Sequence, residues 1–279
     1  MPNDLRWSAN CSILFPELDL LERPAAARAA GFDAVEFWWP FSTATPSDGE
    51  VDRFVAAVRD AGVQLTGLNV AAGDMPGGDR GLASWPGRSS EFLDSVQVAV
   101  GIAGQLGTRA FNALYGNRVD GHSPAEQDEL AVSNLAAAAE AAGRIGAVVL
   151  LEPVSGAPRY PLRTAQDVVD VLARVERETG RTELRLLADL YHLSVNGDDV
   201  PTALAQHSAL VGHVQIADAP GRHEPGTGDL PLDDHLTQLA EAGYDGWVGL
   251  EYVPTSTFEA GLDWLPRDRR RSGAPVPGA

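Results

Sequence analysis

Eight times along this chain a short apolar or β-branched run gives way to a longer segment rich in alanine, leucine and arginine. The strand-like runs are "RWSANCS" (6–12), "DAVEFWW" (33–39), "QLTGLNV" (64–70), "RAFNALYG" (109–116), "AVVLLEP" (147–153), "LRLLADLYH" (184–192), "VGHVQIAD" (211–218) and "GWVGLEY" (246–252). Helical patterns such as "DRFVAAVRDAG" and "SPAEQDELAVSNLAAAAEAAGRIG" lie between them. Several of these close on a glycine, and Ser123-Pro124 followed by Glu126 reads as a capped helix start. Strands that are apolar at nearly every position are buried on both faces, as in a parallel sheet covered by helices. Eight such units predict a single α/β barrel, the (β/α)8 TIM barrel. An open doubly wound sheet would carry a glycine-rich phosphate turn after its first strand, and "ANCSILFPELD" has none. The length, 279 residues, is normal for one barrel. One domain is expected over residues 1–265, with 266–279, which ends in "RDRRRSGAPVPGA", as a flexible tail.

Composition removes several classes of function. The net charge is −18, so phosphate backbones and anionic membranes are repelled and no nucleic-acid partner is expected. No stretch approaches the apolar length that crosses a bilayer. The opening "MPNDLRWSANCS" lacks a charged head followed by an apolar run, so no signal peptide is expected. A lone cysteine, Cys11, cannot form an internal disulfide and fits a reducing cytoplasm. All 21 basic residues are arginine. Without a lysine amine, Schiff-base and pyridoxal chemistry are unavailable.

In an α/β barrel the chemistry sits at the C-terminal ends of the strands. There the fifth strand ends in Glu152, the sixth carries Asp189, the seventh Gln215 and the eighth Glu251. Alone, each reads as a solvated strand end or a capping partner. Together, three crowded carboxylates cost several kcal/mol unless a cation lies among them. Three carboxylates and an amide oxygen form an all-oxygen set, suited to Mg²⁺ or Mn²⁺ rather than zinc. His192, three residues after Asp189, can donate to a substrate oxygen, and Arg222 can clamp a carboxylate or polarise a carbonyl. Arg80 and Arg88, in the long loop over 71–88, are further candidates to meet a substrate anion, although singly each reads as a surface residue. Trp38, Trp39, Phe15 and Trp85 could roof the mouth or simply pack the core. Glu152 and Glu251 lie two strands apart and can face each other as an acid/base pair moving protons between neighbouring carbons. That arrangement points to an aldose–ketose type isomerase or an epimerase acting through an enediolate.

At these residues the chain resembles the hydroxypyruvate isomerase family, within the xylose isomerase-like barrels. The resemblance rests on "SANCSILFPE" (8–17), "AGFDAVEFWWPF" (30–41), "GDRGLASWPGR" (78–88), "ADLYHL" (188–193), "HVQIADAPGRHEPGTG" (213–228) and "GYDGWVGLEYVPTSTFEAGLDW" (243–264). It implies interconversion of hydroxypyruvate and tartronate semialdehyde, with Glu152 and Glu251 as acid and base. It further implies Glu152, Asp189, Gln215 and Glu251 as metal ligands, and His192 and Arg222 as substrate contacts. The close relative acting on 2-oxo-tetronates has nearly the same motifs. The segment "SGAPRYPLRT" (155–164) departs from the family's loop and leaves substrate identity open. Other readings are a ketose 3-epimerase or inosose isomerase, a repair endonuclease of the same fold, and a catalytically silent barrel that binds a sugar acid. A small hydroxy-keto acid or sugar is the expected partner, and a homo-oligomer is left open.

Overall fold

The computed structural model describes residues 5–272. Each of the eight runs holds one strand: β1 (Arg6–Asn10), β2 (Ala34–Phe37), β3 (Gln64–Asn69), β4 (Ala110–Asn112), β5 (Val148–Leu151), β6 (Leu184–Asp189), β7 (Val211–Ile216) and β8 (Trp247–Leu250). They pair in sequence order, all parallel, and β1 closes on β8 to complete the barrel. The helices are α1 (Arg23–Ala29), α2 (Asp48–Ala61), α3 (Ser89–Leu106), α4 (Pro124–Gly143), α5 (Ala165–Thr179), α6 (Leu190–Asn196), α7 (Val200–His207) and α8 (Leu232–Glu241). Local chemistry sets their ends. The Ser123 hydroxyl accepts from the Glu126 N–H while the Glu126 carboxylate accepts from the Ser123 N–H, capping α4 as expected. Gly107 stops α3 in a left-handed conformation that a side chain would resist.

The sixth strand ends earlier than its sequence run. Asp189 Oδ1 accepts from the N–H groups of Tyr191 (2.8 Å) and His192 (3.1 Å), and this cap starts α6 at Leu190. "LYH" is therefore the first turn of a helix rather than the end of a strand.

Two kinds of packing support the barrel. Phe37, Phe54, Phe92 and Phe111 are fully buried in the main core, where helices cover strands. Inside the ring, Ala110, Leu150 and Leu187 form a separate small apolar cluster on β4, β5 and β6. Asn112, Glu152 and Asp189 come two residues later on those chains, and alternation along a strand points them into the same lumen nearer the mouth. Below lies packing, above lies polarity.

Residues 266–272, expected as the start of a flexible tail, are instead tied to the barrel floor. Arg267 donates to the Ala29 carbonyl at 2.6 Å and Arg270 to that of Ala30 at 2.8 Å, so both meet orphan carbonyls at the end of α1. Ser272 N–H donates to the Asp33 carboxylate at 3.0 Å. Residues 273–279 of that expectation lie outside the described residues. Among the described residues no helix is long and apolar enough to cross a membrane.

Candidate active site

Strand register gathers the polar residues. Asp189 pairs with Gln215 and Gln215 with Gly249, so these positions are level round the ring, and Glu251 follows Gly249 by one alternation. Glu152, Asp189, His192 and Glu251 are all buried, and one ligand-type atom from each lies within 4.8 Å of the others. Gln215 is buried beside them. Three carboxyl groups thus face one guanidinium, that of Arg222. Its NH2 donates to Glu251 Oε2 at 2.7 Å and lies 3.8 Å from Asp189 Oδ2.

This crowding moves the acids. Burial, then the charges of Glu251 and Asp189, hold the Glu152 carboxyl well above the usual range. Burial raises Asp189 too, against the pull of Arg222. Glu251 is pushed up to about 7, mainly by burial and partly offset by Arg222. Burial, then Arg222, lowers the His192 imidazole to about 3.

Hydrogen bonds decide which atoms face the centre. Asn112 donates to Glu152 Oε2 at 2.7 Å, leaving Oε1 turned toward His192 Nε2 at 3.8 Å. Trp38 Nε1 (2.5 Å) and Asn10 Nδ2 (3.2 Å) both donate to Glu251 Oε1. Asp189 spends Oδ1 on the α6 cap, while its Oδ2 is buried without a hydrogen bond. Gln215 Oε1 is likewise buried and unpartnered. Two orphaned oxygens among three carboxyls are what a cation-binding site offers, because an unsatisfied buried oxygen costs about 1–3 kcal/mol. The donor set fits a divalent ion.

His192 does not join that set, because its tautomer excludes it. The Ser155 backbone N–H donates to His192 Nδ1 at 3.1 Å, with the Ser155 hydroxyl 2.7 Å from the same nitrogen. A backbone N–H can only donate, so Nδ1 is the lone-pair side and the neutral ring carries its hydrogen on Nε2. A protonated Nε2 is a donor toward the lumen, where Asp189 Oδ2 lies at 3.7 Å.

The loop after β7 is fastened by Asp218. Its Oδ2 accepts from the N–H groups of Gly226 (2.8 Å) and Gly228 (3.0 Å), and its Oδ1 from that of Leu230 (3.0 Å). Within this frame Arg222 has φ of +59°, the one non-glycine positive φ among the described residues. A side chain there costs about 1 kcal/mol or more. The strain is tolerated where it swings the guanidinium inward over the Tyr191 ring, 5.5 Å from its centroid.

The other expected residues divide. Arg80 lines the cavity, with NH1 donating to the Met75 and Asp79 carbonyls and no carboxylate in salt-bridge range among the described residues. Arg88 also lines the cavity, but Asp79 (3.1 Å) and Glu91 (2.7 Å) occupy its guanidinium, which lies 4.9 Å from the Trp85 ring centroid. Trp38, Trp39 and Phe41 form the aromatic wall. Phe15 instead packs on Phe258 at 4.1 Å in the core. Sequence reasoning passed over Asn10, Glu36, Asn112 and Ser155. A polar residue inside an otherwise apolar strand was the available signal for the first three; Ser155 had none beyond its place after β5.

A closed parallel barrel with buried acids at its C-terminal mouth has the architecture of the α/β-barrel enzymes. Comparison with known proteins narrows the class. The chain belongs to the xylose isomerase-like TIM barrel family, whose model matches residues 24–267. It is 56% identical to the "Putative hydroxypyruvate isomerase" of Streptomyces coelicolor, covering 96% of this chain and 98% of that one. It is 34% identical to the hydroxypyruvate isomerase of Escherichia coli (94% and 98% covered) and 36% identical to the 2-oxo-tetronate isomerase of Cupriavidus necator (93% and 97%). A crystal structure described as AP endonuclease, family 2, from Brucella melitensis superposes with a TM-score of 0.84 at 32% identity, covering 94% and 98%. These relatives make the chain an enzyme of the isomerase kind.

Proposed function

We propose that this enzyme interconverts a 3-hydroxy-2-oxo acid and its 2-hydroxy-3-oxo isomer with the help of Mg²⁺ or Mn²⁺, and that hydroxypyruvate and tartronate semialdehyde are the pair. The observation that carries the reading is the pair of orphaned oxygens, Asp189 Oδ2 and Gln215 Oε1, beside two carboxyls held above their usual range. Glu152, Asp189, Gln215 and Glu251 would hold the ion. When bound, a divalent cation supplies Lewis-acid polarisation of adjacent carbonyl and hydroxyl oxygens.

The protein's own groups supply the rest. Glu152 has a free oxygen, Oε1, to take the proton from C3, and the hydrogen is returned at C2. Glu251, with its carboxyl near neutrality, moves the hydroxyl proton from O3 to O2. The net change is a transposition of two hydrogens, with no oxidant and no leaving group. Neutral His192 donates Nε2–H to the oxygen that gains charge, and Arg222, whose buried Nε has no partner, donates beside it. Arg80 is the open fork for the substrate carboxylate, whereas Arg88 braces the wall. A net charge of −18 opposes a nuclease reading.

A second reading, a 2-oxo-tetronate substrate, is favoured by room. The cavity is about 850 Å³, ample for four carbons. Hydroxypyruvate, 2-oxo-tetronates and neutral ketoses incubated in D₂O with Mn²⁺ decide among them by NMR. Fastest exchange and turnover are expected with hydroxypyruvate; a faster ketose would overturn the acid-substrate assignment. Glu152→Gln and Glu251→Gln should each lower turnover by about 10²–10⁴-fold while circular dichroism is unchanged.

A further inference from the structure

Against the proposed ligand Gln215 lie two buried side chains that the reaction does not use, Glu36 and His213. Glu36, on β2, is 3% exposed. Its Oε2 lies 2.7 Å from His213 Nε2. Its Oε1 accepts from Gln215 Nε2 at 2.6 Å and from Asn10 Nδ2 at 3.1 Å. Three donors on two strands, β1 and β7, converge on one carboxylate. A glycine makes room for it: a Cβ at Gly249 would stand 2.5 Å from both Glu36 oxygens.

A glutamine amide has two unlike ends, and only its oxygen can face a cation. Hydrogen bonding must therefore fix which end points up. Building on the metal reading above, we infer that Glu36 is a positioning residue that holds the Gln215 amide oxygen-outward, toward the cation. A carboxylate receiving three donors is an acceptor on every side, so Gln215 must offer its NH₂ downward, and its oxygen is left unpartnered in the lumen. His213 closes the far side of the carboxylate, and Asn10 extends it to Glu251, whose Oε1 accepts from the same Asn10 Nδ2 at 3.2 Å. Glu36 thus sets the aim of one ligand directly and reaches another through Asn10. Outer groups of this kind change metal affinity by about 10–100-fold.

Substituting Glu36→Gln separates aim from mere filling. The amide introduced on β2 can still accept from His213, but it then presents NH₂ to Gln215, which must turn its own oxygen inward and its NH₂ to the cation. Mn²⁺ affinity, read by electron paramagnetic resonance, should fall about 10–100-fold. The swapped pair Glu36→Gln with Gln215→Glu is the second arm. A carboxylate at position 215 has two alike ends, so it can accept from the amide now at position 36 and still offer an oxygen upward. Mn²⁺ affinity should then return to within a few-fold of wild type. Asn10 loses the same bond in both variants, so the difference isolates position 215. Thermal melts report folding of each. Wild-type Mn²⁺ affinity in Glu36→Gln would overturn the inference, as would a folded swap that fails to recover. A wild-type protein that binds no Mn²⁺ would instead overturn the metal reading itself.

Discussion

His192 owes its role to a bond made on the side away from the chemistry. The Ser155 N–H on Nδ1 leaves Nε2 protonated, and burial with the nearby Arg222 charge keeps the ring from gaining a second proton, its pKa falling to about 3. Protein labelled with ¹⁵N-histidine should therefore show the neutral Nε2–H form at His192 throughout the neutral pH range. An Nδ1–H ring or an imidazolium signal would contradict the donor role. Ser155→Ala keeps the backbone donor and should keep the tautomer. At this scale the sequence was partly legible. Glu152, Asp189, Gln215 and Glu251 stood out because a barrel places strand ends at its mouth, and Gln215 because an amide displaces an apolar residue. Glu36 in "DAVEFWW" displaces one equally, but its partners Asn10, Gln215 and His213 come from β1 and β7, and only closure of the ring brings them together. Arg80 and Arg88 looked alike in one loop. What separates them is that Asp79 and Glu91 reach only Arg88.

The loop after β7 behaves as a unit because one side chain ties it. Asp218 collects the N–H groups of Gly226, Gly228 and Leu230, and Arg222 is carried in the resulting turn. Asp218→Ala leaves those donors without their charged acceptor, at a cost of about 1–3 kcal/mol. Hydrogen exchange should then accelerate over 219–230 and turnover should fall, since Arg222 is no longer pressed against Glu251. Unchanged exchange over that loop would show that its prolines and glycines suffice. All eight strands were legible as elements, because apolar runs buried on both faces look the same wherever they occur. The boundary after β6 was not. "ADLYHL" reads as a strand until the Asp189 side chain is known to cap the next two N–H groups, a choice made by the carboxylate's reach rather than by propensity.

For the molecule as a whole, the buried acids couple stability to pH. Folded protein without metal holds the Glu251 proton up to about 7, while an unfolded glutamate loses it near 4.5. The folded state binds more protons across that window, so this carboxyl stabilises below about 4.5 and its contribution is lost as pH rises through 7. The difference corresponds to roughly 3 kcal/mol for one group. Glu152 and Asp189 act in the same direction. His192, lowered to about 3, acts in the opposite direction, as do the carboxyls of Glu50 and Glu126, both lowered. Thermal melts of wild type in EDTA, compared with Glu251→Gln across a pH series, should show the wild type losing ground from acid to neutral. Mn²⁺ should reverse the loss, increasingly so at higher pH, because it binds the deprotonated acids. A wild-type advantage that grows toward neutral pH in EDTA would contradict the sign.

On the opposite face, Arg267 and Arg270 bring the segment that follows β8 back to α1 and so bridge the junction where the last strand meets the first. A ring lacks free edges only while every joint holds, and this joint has its own clasp, set at the far end from the catalytic groups. The barrel can therefore be reinforced at its base while the machinery at its mouth is left alone.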